Sequence, residues 1–173
     1  MNQYKNLIIF GGLLGSQPNG VVQKKADMLN GQAFSWTLDT KDIENIKYSI
    51  NTLVQLGKLA GATRALLPTR PGIELPLDDK SVNDFTRSFN AFPVRINDLQ
   101  MGTAHPQGGN LMAGSGYSFD KQRVVNENFQ VQGFENVFVA DASLFPTSLT
   151  VNPQWTIMAM SSLAMNKVIE RIL

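Results

Sequence analysis

The sequence contains no cysteine, which excludes disulfides, thiolate metal sites and a cysteine nucleophile. Redox chemistry, if any, must therefore come from a bound cofactor, and no metal site is expected. An excess of charge is also missing. Lys+Arg 15 against Asp+Glu 14 leaves a net charge of +1, and no basic run offers a row of cations to phosphates, so nucleic acid is not an expected partner. Long hydrophobic runs are absent too. The apolar stretch over residues 7–14 is broken by Gly11 and Gly12 and falls well short of the roughly 20 residues that span a bilayer. Only Lys5 stands as a basic residue before it and no small-x-small pattern follows, so it is not read as a secretory signal. A soluble, cytoplasmic chain is the expectation. What is present, 173 residues with 43% hydrophobic content, suffices for one compact domain or two small lobes sharing a core.

Residues 6–10 form a short apolar run ending at Gly11-Gly12, the pattern of a buried strand delivered into a glycine-rich loop that runs to about Gly20. Over residues 33–38, Phe34, Trp36 and Leu38 alternate with Ser35 and Thr37, which predicts a strand with one covered face, antiparallel to its neighbours. Asp39 or Thr40 caps a following helix whose stripe is Ile43, Ile46, Ile50, Leu53 and Val54, with Gly57 and Gly61 marking its end. Ser81 with Asp84 announces a second helix carrying Val82, Phe85 and Phe89 on one face, stopped by Pro93. Residues 95–118 are rich in Gly, Asn and small polar residues and form an irregular loop of functional length. Beyond it, residues 124–125 and 129–131 read as short strands and residues 136–140 as a strand buried on both faces and ended by Asp141. A last helix opens at Asn152-Pro153, a capping residue followed by proline at the first helical position, with the stripe Met158, Ser161, Met165, Val168 and Ile172. These elements predict an α+β fold, a mainly antiparallel sheet covered by helices, divided into residues 1–100 and 101–173.

Two segments carry the chemistry. Asp141-Ala142-Ser143-Leu144-Phe145-Pro146-Thr147-Ser148 is followed closely by Val151-Asn152-Pro153-Gln154-Trp155-Thr156-Ile157-Met158-Ala159. The only histidine, His105, lies in His105-Pro106-Gln107-Gly108-Gly109-Asn110-Leu111-Met112. Histidine is the side chain able to accept a proton near neutrality. Alone, each feature is also what a loop histidine, a polar strand end or a good helix start would give. In this order, they resemble the C-terminal signature of glucose-methanol-choline (GMC) oxidoreductases, including the His-Pro-x-Gly segment that bears the family's active-site base.

The resemblance implies FAD as cofactor and an alcohol as substrate. It places Asp141 and Ala142 beside the ribityl and pyrophosphate groups, and aims the helix opened by Asn152, Pro153 and Gln154 at the flavin ring. The implied chemistry is removal of the substrate hydroxyl proton by His105, a hydrogen bond from Asn152 to the developing alkoxide, and hydride transfer from carbon to flavin N5. The separation 152 − 105 = 47 residues is close to that expected between the two catalytic positions of the family. A helix end of this kind presents unsatisfied N–H groups and a positive dipole end, which stabilise the anionic N1–C2=O edge of a reduced flavin by about 0.3–2 kcal/mol. Two departures bear on the loop path. Gly109 stands where many members have threonine, and Ala113 precedes Gly114 where glycine usually follows methionine. By the same resemblance, residues 1–100 correspond to part of the substrate-binding lobe, and residues 101–173 to the catalytic loop with the C-terminal strand and helix of the FAD-binding domain.

Family members also carry a Rossmann unit with Gly-x-Gly-x-x-Gly. Gly11-Gly12-Leu13-Leu14-Gly15 does not supply it, because Phe10 occupies the first glycine position and Ser16-Gln17-Pro18-Asn19-Gly20 breaks the chain where a phosphate-binding helix would run. The expectation is a chain lacking the N-terminal FAD-binding half and not holding FAD tightly alone. Two readings follow: the C-terminal catalytic portion of a flavin-dependent alcohol dehydrogenase or oxidase, or an inactive fragment that persists as a substrate-binding module.

Overall fold

The computed structural model describes residues 4–22, 34–112 and 122–173. Ala33, Ala113, Gly114 and Ser118, which entered the readings above, lie outside the described residues, as does the side chain of Ile172. The chain clusters into two units, Met1–Leu14 with Leu38–Gly102, and Gly15–Thr37 with Thr103–Leu173. No described helix is long and apolar enough to cross a membrane.

In the first unit, α1 (Thr40–Leu59) starts where the sequence places it. Asp39 accepts from the Asp42 N–H at 2.8 Å while the Asp42 carboxylate accepts from the Asp39 N–H, a reciprocal cap that satisfies two otherwise orphaned donors. Ile46, Ile50 and Val54 of the expected stripe are buried. The helix runs past Gly57, which is buried within it, and is closed by Gly61, whose φ of 85° lies where side chains are disfavoured. β3 (Arg64–Leu67) and β4 (Ile73–Pro76) form an antiparallel pair with Leu67 opposite Ile73, and Arg64 reaches Glu74 across it. α2 (Asp79–Ala91) is capped by Asp78, not by Ser81. Ser81 is instead the donor, giving both its N–H and its hydroxyl to the Asp78 carboxylate. Helix α2 buries Val82 and Phe89 and stacks Phe85 on Phe89 with ring centroids 5.1 Å apart. It stops before Pro93, which holds Phe92 in extended backbone. One core cluster joins Ile46, Ile50, Phe89, Val94 and Leu99, the other Val54, Leu67, Leu75, Leu77 and Val82, and Phe85 packs against both.

Residues 6–10 are not a buried strand. Ile8 is 85% and Ile9 99% exposed, and no ladder includes them, because an apolar run becomes a strand only where a neighbour offers hydrogen bonds and a face to cover.

In the second unit, β1 (Val21–Val22) pairs antiparallel with β2 (Phe34–Ser35), so the expected strand over residues 33–38 is much shorter than its alternation suggests. The Asn19 amide closes the pair by donating to the Thr37 carbonyl at 2.7 Å. Residues 124–140 form isolated bridges, Met112 to Val125, Val125 to Val131 and Gln130 to Phe138, in place of the expected strands. Residues 136–140 have one bridge and leave Val137 45% exposed, since a strand buried on both faces requires neighbours on both sides. α3 (Gln154–Ile172) packs Ile157, Met160 and Ala164 onto a core of Val125, Phe129, Leu144 and Phe145. Met158 and Met165 of the expected stripe are exposed instead, because this helix carries apolar residues all round and its periodicity does not single out one face. The fold class is α+β, with small antiparallel pairs in place of one larger sheet.

Candidate active site

The site is built on the second unit from a ladder between two segments far apart in sequence. Gly108 N donates to Ala142 O at 3.1 Å, Asn110 N to Ser143 O at 3.0 Å and Met112 N to Leu144 O at 3.0 Å. The acceptors belong to a tight 3-10 turn, Ala142–Leu144, opened by Asp141. Asp141 Oδ1 accepts from Ser143 N at 2.8 Å and from the Ser143 hydroxyl, which in turn accepts from the Asn110 amide at 3.0 Å. The ladder is thus repeated in side chains, and Leu144, 1% exposed, pins the turn to the core. Ser161 on α3 donates to the Ala140 carbonyl and fixes the helix to the residue before Asp141.

Gly108 and Gly109 lead into the ladder with φ of 81° and 109°. Both values lie where a Cβ is disfavoured, and a β-branched residue most of all. Glycine at position 109 thus matches a backbone path that the threonine found there in many members of the family it resembles would oppose.

His105 precedes this turn and is half-buried. Its backbone N–H donates to Thr103 Oγ1 at 3.3 Å, and its ring makes no hydrogen bond among the described residues. Asn152 is exposed. It does not cap α3 as expected: Pro153 is the capping residue, its carbonyl accepting from Ile157 N at 2.9 Å, and no side chain caps the helix. Proline at this position supplies a preset φ but no side-chain acceptor. Among the described residues, nothing accepts from the first-turn N–H groups of α3, beginning at Gln154. No hydrogen bond joins His105 directly to Asn152 among the described residues. Their segments are joined through Gln107, whose Oε1 accepts from the Leu149 N–H at 3.0 Å.

Asp141, Ala142, Pro153 and Gln154 are thereby held on two linked pieces, the turn and the start of α3. The second carboxylate oxygen of Asp141 accepts nothing among the described residues, and Asp141 is exposed. Gln107, Asn110, Ser143 and Ser161 stand in the quoted motifs and stripe, but their part in fastening the site was not read from sequence, because these bonds span 42, 33 and 21 residues and nothing local announces them. A groove of about 630 Å³ lined by Met112, Phe129, Met160, Leu163 and Lys167 is built from none of the expected site residues. Among the described residues, no cluster of His, Asp and Glu suits a metal ion.

The family model described as GMC oxidoreductase, for the family's C-terminal domain, matches residues 18–161, and the chain belongs to this family. Long-chain-alcohol oxidase FAO4A from Arabidopsis thaliana is similar, 28% identical over 129 residues. That match covers 73% of this chain and 17% of the relative, so the chain spans a minor part of the relative's length. Proteins of the GMC family are FAD-dependent.

Proposed function

We propose that this chain supplies the catalytic and flavin-facing portion of a flavin-dependent alcohol dehydrogenase or oxidase. The observation that carries the reading is the ladder from Gly108, Asn110 and Met112 to the turn at Ala142–Leu144, which holds the His105 loop against the segment leading to Asn152. The two side chains are unspent in folding and therefore available to a substrate. His105 accepts the hydroxyl proton on a ring nitrogen. Asn152 donates from its amide to the substrate oxygen as negative charge grows there, and loss of such a preorganised donor costs about 2.7–4 kcal/mol of transition-state stabilisation.

The residues present suit a flavin. The open N–H groups at the start of α3 and its positive dipole end favour an anion, and no side chain competes for them. The free oxygen of Asp141 would accept from a ribityl hydroxyl, Ala142 would leave room for close approach, and Pro153 and Gln154 would face the flavin ring. A flavin held there would supply the two-electron acceptor for the hydride lost from the carbinol carbon, while His105 takes the hydroxyl proton and the alcohol becomes a carbonyl compound. Residues 1–100 serve as part of the substrate lobe and residues 101–173 as the catalytic part. The adenosine end of FAD is held by a partner domain with a Rossmann unit, since residues 11–20 form no phosphate-binding turn and helix. That domain also suits the uncovered face of α3, where Trp155 is 81% exposed beside Met158, Met165 and Ile169.

The test joins the chain to a flavin-binding half and follows bleaching of the flavin absorbance on addition of primary and secondary alcohols. The Arabidopsis relative is a long-chain-alcohol oxidase, which is reason to include a long-chain alcohol. His105→Ala should slow bleaching at least as much as Asn152→Ala. An unchanged rate in His105→Ala removes the base assignment, and no bleaching with any alcohol removes the oxidoreductase reading. The unjoined chain should not hold FAD tightly.

A further inference from the structure

The ladder fixes only the part of the loop that follows His105, and its acceptors end at Leu144. Between Leu144 and Gln154, the first residue of α3, the backbone passes through nine residues, 145–153, of which Asn152 is the last but one. One side chain from the histidine loop reaches into that stretch. Gln107 Oε1 accepts from the Leu149 N–H at 3.0 Å, across 42 residues of sequence, and both residues are half-buried. Gln107 lies two residues after His105 and Leu149 three residues before Asn152. Among the hydrogen bonds of the described residues, this one ties the segment of His105 to the segment of Asn152 at positions within three residues of each. Without it, Leu149 keeps a half-buried N–H with no acceptor, and the stretch from 145 to 153 loses its tie to the loop.

Resting on the proposed alcohol chemistry, we infer that Gln107 is a positioning residue that sets the separation of His105 from Asn152. Its required property is an acceptor at the end of a two-methylene stem. Glutamate keeps that acceptor. Methionine keeps the length and bulk without it, and alanine keeps neither.

Two measurements test this. The first uses the 173-residue chain itself and records hydrogen exchange of the Leu149 amide by NMR. Protection should fall about tenfold in Gln107→Met and be retained in Gln107→Glu. The second uses the chain joined to its flavin-binding half. Gln107→Met should lower kcat for flavin bleaching by up to about a hundredfold, the effect of an ångström-scale misplacement of reacting groups, with KM little changed and the thermal midpoint lowered only by the loss of about one hydrogen bond. Gln107→Glu should recover most of kcat. A merely structural role would lower kcat only in step with stability and would not separate kcat from KM. Wild-type kcat or undiminished Leu149 protection in Gln107→Met overturns the inference, as does a glutamate variant no better than methionine. The two readings fail separately. If His105→Ala leaves bleaching unchanged, the base assignment falls, while Leu149 exchange still reports on Gln107. If His105→Ala abolishes bleaching and Gln107→Met does not slow it, only the positioning role falls.

Discussion

Replacing Leu144 by alanine should unfasten the candidate site through the core. Leu144 is 1% exposed and packs with Val125, Phe129, Phe145 and Ala164, while its carbonyl accepts from Met112 at 3.0 Å. Truncating a leucine so enclosed removes its transfer free energy and leaves a void, a loss of roughly 3–5 kcal/mol. Small domains have about 5–15 kcal/mol in total, so the variant should remain folded with little margin. With a urea m-value of about 2 kcal/mol/M, the unfolding midpoint should fall by about 1.5–2.5 M with m unchanged. Exchange of the Gly108, Asn110 and Met112 amides should rise together, because their acceptors sit on the turn that Leu144 anchors. Leu66→Ala is the control: Leu66 is 70% exposed and its loss should stay within about 0.5 kcal/mol. A loss under about 1 kcal/mol for Leu144→Ala, or exchange that rises at one of the three amides alone, would refute both the packed core and its coupling to the loop.

Asp39→Ala should cost about 1 kcal/mol by uncapping α1, with Asp39→Ser recovering most of it, as read by thermal or urea unfolding. Gly109→Ala should cost about 1–2 kcal/mol although nothing lies within 4 Å of the added Cβ, since φ is 109°, whereas Gly11→Ala, equally open, should cost nothing measurable. The Asp78 carboxyl is held below its ordinary value of 3.8 by the N–H and hydroxyl of Ser81. A depressed folded value means that this cap contributes fully above the unfolded pKa and is lost as pH falls through the folded one. An NMR titration of Asp78 should therefore show a midpoint below 3.8, and a midpoint at or above it contradicts the cap.

The helices were legible where the physics is local. Asp39 and Asp42 sit three apart before a stripe of isoleucines, and cap and stripe reinforce each other. At α2 the same logic found the helix but misread the cap, since Asp78, Ser81 and Asp84 are all spaced by three and only geometry tells acceptor from donor. Strands were poorly legible. Residues 6–10 and 136–140 have the composition of strands, but a strand is completed by its neighbour, and the neighbour is not written in the run itself. The buried side of α3 was missed because a helix apolar all round offers two candidate faces, and packing chose Ile157, Met160 and Ala164. The resemblance to the family points to His105, Asp141, Ala142, Asn152, Pro153 and Gln154 as site residues, and their roles are those proposed above. The fastening by Gln107, Asn110, Ser143 and Ser161 was not legible, because each bond spans a distance that only the tertiary fold closes.

Folding ordinarily consumes polar groups that leave the solvent, and the second unit does so with economy. Ser143, Asn110, Gln107 and Ser161 are all engaged, as is one oxygen of Asp141. Against that background the exceptions are informative. An asparagine placed just before a helix is among the best capping residues, worth about 1 kcal/mol, yet Asn152 caps nothing and α3 begins without a side-chain cap. The only histidine is half-buried and finds no ring partner among the described residues. Stability available to this sequence is thus left unused at the two positions that the motif singles out, while the residues around them are tied down. On the function proposed above, polar groups spent on holding the loop and withheld at His105 and Asn152 are what an external hydrogen-bonding partner requires, since preorganised catalysis needs rigid support around unsatisfied functional groups.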